Sequence, residues 1–148
     1  MPYQQKAGLH NVGSYQVSGY PFITGSAVTA GGSSNGEVRV QFPTVANNLT
    51  VINTSETGLR VYFNAMTASN GANGTGAYPD GAPIDGLHFI TLENQKDSVT
   101  LVVKCKEVFV ALTSSAAGPN GSFECWAELT GIASQEMFIL TGSGLTAP

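Results

Sequence analysis

Cysteine and histidine, the usual ligands of a structural zinc and common nucleophile and base, number four: Cys105, Cys125, His10 and His88. A structural zinc site draws its ligands in closely spaced Cys or His pairs. These four stand singly in no finger or ribbon spacing, so no zinc site is expected. Both cysteines fall on apolar positions of alternating segments and read as small buried hydrophobes. They are expected to be thiols, because the start Met1-Pro2-Tyr3-Gln4-Gln5-Lys6 lacks the apolar stretch of a secretory signal. A Cys105–Cys125 disulfide is the alternative.

The run Gly32-Ser33-Ser34-Asn35-Gly36 satisfies G-x-S-x-G around Ser34. A nucleophile elbow needs a strand before the serine and a helix after it. Here the following segment alternates like a strand, so the run reads as a flexible turn. Asp80 and Asp85 share one loop and could bracket a calcium ion, but the EF-hand spacing is absent and both read as turn formers. Neither histidine has an evident acid–base partner, so no enzyme activity and no cofactor are expected. The sequons at Asn48, Asn53, Asn73 and Asn120 read as a by-product of a chain rich in Asn, Ser and Thr.

These residues must be positioned by strands, because the dominant pattern has period two. In Glu37-Val38-Arg39-Val40-Gln41-Phe42 the apolar set is Val38, Val40 and Phe42; in Leu59-Arg60-Val61-Tyr62-Phe63-Asn64 it is Leu59, Val61 and Phe63, with Arg60, Tyr62 and Asn64 facing out. Further strands are expected at 48–53, 88–93, 98–105, 108–113, 122–130 and 137–141, with weaker candidates at 14–18 and 22–27 interrupted by Pro21. About nine short strands with frequent turn signals describe an all-β fold, a single antiparallel β-sandwich of jelly-roll or immunoglobulin-like order. The best helix candidate, 133–138, is one turn at most. Residues 14–141 form the sandwich domain, flanked by an extended N-terminal arm (1–13) and a C-terminal tail (142–148). A long loop, 66–86, exceeds the roughly 12–15 residues usual for a structureless connection and is read as functional or disordered.

Charge excludes several partners. Only 11% of the 148 residues are charged, the net charge is −4, and the six Lys and Arg are scattered. Nucleic-acid binding needs several cations on one face and is not expected. No run approaches the roughly 18 apolar residues of a membrane span. A thinly charged surface repels neighbours weakly and suits a chain packed against other subunits.

Trp126 is the most informative single residue. Alternation turns Phe123, Cys125, Ala127 and Leu129 inward and leaves Trp126 outward between Glu124 and Glu128. It could anchor a protein interface, stack on a sugar or cover a second hydrophobic cluster under the long loop. Contact residues are also expected on the arm (Tyr3, His10), the outward face (Tyr62), the loop (Tyr78, Pro79) and the tail (Leu145).

Residues 12–25 (Val12-Gly13-Ser14-Tyr15 through Thr24-Gly25), Glu37-Val38-Arg39-Val40-Gln41-Phe42-Pro43 with Val51-Ile52-Asn53, Val103-Lys104-Cys105-Lys106-Glu107-Val108 and Ala127-Glu128-Leu129-Thr130-Gly131-Ile132 running to Gly144 are similar to small virion structural proteins of tailed phages, especially those infecting marine cyanobacteria. The resemblance implies a capsid decoration, or cement, protein on the capsid exterior, assembled in the host cytoplasm. Its partners would be the major capsid protein lattice and copies of itself, often as a trimer. The rival readings are a tail or fibre module that binds host-surface glycans and a hydrolase built on a β-sandwich.

Overall fold

Among the described residues alternating side chains build seven strands: β1 (Tyr20–Val28), β2 (Val38–Asn53), β3 (Leu59–Tyr62), β4 (Ile90–Leu92), β5 (Ser98–Leu101), β6 (Cys105–Leu112) and β7 (Gly121–Ala133). The computed structural model describes residues 8–10, 19–30, 36–65, 88–113, 119–138, 140 and 145; Tyr3, Ser34, Asn73, Tyr78, Pro79, Asp80 and Asp85 lie outside the described residues. All strands join one antiparallel sheet in the order β1-β7-β2-β6-β3-β4, with β5 paired to β2. The sheet closes over itself in the manner of a sandwich. Val28 of edge strand β1 and Leu92 of the opposite edge strand β4 belong to one buried cluster with Phe42, Leu49, Leu59, Val110 and Phe123. Gly121 marks how near the layers come: a Cβ there would lie 2.8 Å from Leu59 Cδ2 and 2.9 Å from Leu112 Cδ2.

The central element differs from the expectation of two strands at 37–42 and 48–53, because both belong to the sixteen-residue β2. Val40 and Phe42 are buried in its first half, and Leu49, Val51 and Asn53 in its second, so the inward parity changes from even to odd. Such a change requires an irregularity, since period two alone would turn one half's apolar set to solvent. The register with β6 and β7 shifts between Gln41 and Asn48, around Pro43. Two hydroxyls hold the shifted backbone. Thr130 Oγ1 donates to Val45 O at 2.7 Å and accepts from Ile132 N at 3.2 Å, and Ser134 Oγ donates to Phe42 O at 2.9 Å.

Three other segments depart from the sequence expectation. The segment 98–105 leaves the ladder at Val102, so that β5 and β6 run in succession along one edge of β2. The segment 88–93 shortens to β4. At its described positions 137–141 is not a strand; it follows a single 3-10 turn at Ser134–Glu136, within the helical turn anticipated at 133–138. Leu9, in the arm expected to extend away, packs with Leu140 on a small cluster of Val45, Ile132 and Met137, and its carbonyl accepts a 2.9 Å bond from Lys104 Nζ.

Asn53 ties the far end of the sandwich together. It is fully buried, so its sequon is inaccessible in the fold. Its Nδ2 donates to Thr57 O and Leu92 O at 2.9 and 3.0 Å, while Oδ1 accepts from Ser55 N and Ser55 Oγ, both at 2.9 Å. Its backbone N donates to Asp97 O, and its carbonyl accepts from Lys96 N. One side chain thereby closes the β2–β3 turn and fixes β4 against it. Asn48 is the contrast, because its buried Oδ1 has no hydrogen-bond partner.

Removing a buried group that satisfies several others leaves them unpaired, at about 1–3 kcal/mol each before relaxation. Asn53→Ala is expected to cost about 3 kcal/mol and lower Tm by roughly 6–12 °C. Asn48→Thr, which discards an unpaired atom for a strand-favouring residue, should stay within about 0.5 kcal/mol of wild type. Urea unfolding midpoints of the two variants check this contrast.

Candidate interaction surface

The outward face of β1, β7, β2 and β5 gathers the residues most suited to contact another molecule. Register sets them in rows. Ile23 stands opposite Trp126, Trp126 opposite Thr50 and Thr50 opposite Thr100; the next row runs Gly25, Glu124, Ile52 and Ser98. Side chains directly opposite on one face touch, so Trp126 lies across Thr50, which is buried despite facing outward. Thr50 Oγ1 and Thr100 Oγ1 share a hydrogen bond of 2.8 Å under this cover. Ile23, Ile52, Glu124 and Trp126 line a shallow hollow of about 170 Å³.

Trp126 is 37% exposed and Ile23 81%. The inward set expected around Trp126, namely Phe123, Cys125, Ala127 and Leu129, is buried. Glu124 and Glu128 flank the indole along β7, and neither β1 nor β7 contains a Lys or Arg. The face therefore sets three apolar side chains, Ile23, Trp126 and Ile52, among uncharged polar ones, with Glu124 and Glu128 on either side of the indole. Ile23 and Ile52 were not anticipated as its members. The signal was present in the odd-numbered outward positions of 21–27, but Pro21 reads as a strand breaker, whereas an edge strand tolerates it.

The other anticipated residues separate. Tyr62 lies on the face opposite Leu59 and Val61, as its parity requires, but it is 1% exposed and does not reach solvent. Phe109 stacks against it at 5.8 Å, and Phe89 meets it edge-on at 4.7 Å. Its hydroxyl donates to Glu37 Oε2. Burial, with the charge and hydrogen bond of Glu37, pushes the phenol far above its ordinary pKa, so it remains protonated. Tyr62 therefore anchors a second hydrophobic cluster that includes Ala65, and Trp126 does not belong to it; the loop expected at 66–86 lies outside the described residues. His10 is exposed and lines a different hollow of about 390 Å³ with Leu9, Val103, Lys104, Met137 and Phe138. Leu145 is half-buried.

A third hollow, about 580 Å³, is lined by Phe22, Phe42, Arg39, Gln41, Lys106 and Ser134 among others. Its cations are engaged: Arg39 pairs with Glu107, and Lys106 Nζ donates to Met137 O at 3.2 Å.

Among the described residues no group of three or more His, Cys, Asp or Glu lies together in a way that could hold a metal ion. Of the G-x-S-x-G run only Gly36 is described. It has φ +70°, and a Cβ there would lie 2.1 Å from Thr29 O, so the turn itself demands this glycine. Among the described residues no helix is long and apolar enough to cross a membrane.

No protein-family model, curated protein or solved structure matches the chain.

Cys105 and Cys125 are free thiols within the core, in register with Ala46 and Val51 of β2 respectively. Burial, reinforced by Cys125 and Glu107, raises Cys105 to about 12, and burial raises Cys125 to about 11. A raised thiol pKa favours the protonated fold, so this contribution is intact below pH 9 and is lost as pH rises toward 12. A thiol-reactive dye at pH 8 should label neither cysteine faster than the protein unfolds, and denaturant should accelerate both reactions together. Fast labelling of either in the native state would contradict the burial.

Proposed function

We propose that this chain is a non-catalytic β domain that docks on other protein subunits through the Ile23–Trp126–Ile52 face, as a decoration protein on the exterior of a tailed-phage capsid. The carrying observation is an exposed tryptophan and isoleucine side by side on one face, with no cation on β1 or β7. An indole set beside apolar side chains offers much contact area for little lost rotamer freedom, which is the chemistry of an interface anchor. The nature of the partner follows from the resemblance of the β1, β2, β6 and β7 segments to virion proteins. Glu124 and Glu128 on either side of the indole favour a partner patch that is apolar at its centre and basic at its border.

A shell-stabilising role suits such a face. Each copy adds modest buried area across a capsomer boundary, and repetition over the lattice multiplies it. The sparse charge of the chain keeps the cost of crowding many copies low.

The test adds purified chain to shells of the encoding phage that lack it. Trp126 is the only tryptophan, so docking should shift its emission to shorter wavelength. Trp126→Ala should weaken shell binding by about 30-fold or more, the effect of a hot-spot residue, while the fold is retained. Binding to a glycan array with indifference to shells would instead favour a receptor-binding module and refute the proposal.

A further inference from the structure

β1, β4 and β5 are each paired on one side only among the described residues. An unpaired edge is a template for another strand, and folded proteins blunt it by shortness, charge or proline. β4 and β5 are three and four residues long, with Glu93 following one and Asp97 preceding the other. β1 is different. It runs nine residues, Tyr-Pro-Phe-Ile-Thr-Gly-Ser-Ala-Val, without one charged side chain, and only Pro21 near its start guards it. Ile23 and Tyr20, 81% and 73% exposed, place apolar surface on both sides of this edge.

We infer that β1 pairs edge to edge with the β1 of a second copy of this chain, antiparallel about a two-fold axis, to make a sheet continuous through both molecules. Charge selects this occupant and this geometry. The chain is net negative, and stacking two outer faces would interdigitate side chains in the roughly 10 Å between packed sheet backbones, bringing the carboxylates of Glu124 and Glu128 of both copies well inside that distance of one another. Edge pairing instead leaves two β1 strands between the β7 strands, roughly 14 Å at about 4.8 Å per strand, beyond the screening length of about 8 Å in physiological salt. An uncharged strand opposite itself meets no like charge in any register. A charged foreign strand would find no complementary charge on β1. The pairing also extends this set of apolar side chains, because Ile23 lies at the join and Trp126 one strand inward. This deepens the reading of that face as a subunit contact, but it is measured on the isolated chain, so failed shell binding and failed self-pairing are seen separately.

The experiment is sedimentation of the full chain from micromolar to about 0.1 mM, with hydrogen exchange read at both ends of the series. The expected result is a reversible dimer whose added amide protection on concentration is confined to β1. Ile23→Lys, at an exposed position that leaves the core untouched, should weaken the dimer about ten-fold or more while the Tm of the dilute monomer is unchanged. A chain that stays monomeric overturns the inference. So does an oligomer whose β1 amides gain no protection, or one indifferent to Ile23→Lys. Protection of β1 that arises only on adding shells would assign the edge to a foreign strand and equally overturn the second copy.

Discussion

The sheet depends on β2, and β2 contains a proline where a continuous ladder would need a donor. Pro43 cannot give a hydrogen bond, and between Gln41 and Asn48 the strand shifts register and resumes with its inward parity changed. This is how one strand lines both halves of the sandwich. Its first half holds β6, and its second lies between β7 and β5. Hydroxyls from Thr130 and Ser134 bond the carbonyls of Val45 and Phe42 beside the irregularity. The device resembles a hinge pin: polar, small and supplied by the neighbouring chain segment.

A second arrangement governs the surface. Acidic side chains flank Trp126 on β7, while Arg39 and Lys106 line the separate hollow beneath Phe22 and Phe42. β1 divides the two, with Ile23 on one side and Phe22 on the other; Phe22 meets Phe42 edge-on at 5.5 Å. A contact at this edge can therefore address either face.

The all-β class, the inward placement of the cysteines and the outward placement of Trp126 were legible because each follows from alternation within one strand. Tyr62 was not. Its parity is outward, but Phe89 and Phe109 cover it from segments far along the chain, and no local pattern records a cover supplied from a distance. The continuity of β2 was hidden for a related reason: a parity change at a proline looks in sequence like two strands and a turn. Val102 and Val103 continue the apolar run of β5, but nothing in their types reveals that they leave the ladder. The exposed Ile23 went unread because Pro21 marks an interior strand as impossible and an edge strand as ordinary, and edge position is a property of the whole sheet.

The strand order also dictates when the chain can fold. β1 does not pair with β2; it waits for β7, the last strand described, and the partners of β2 are β5, β6 and β7. A ribosome that has released the first half of this polypeptide has made two long strands that do not pair with each other, and among the described strands only β3 and β4 meet as sequential neighbours. Assembly is therefore a late, largely non-local event, slow by the entropy of closing long loops. Until the final strand arrives, the nascent chain carries its stickiest segments bare.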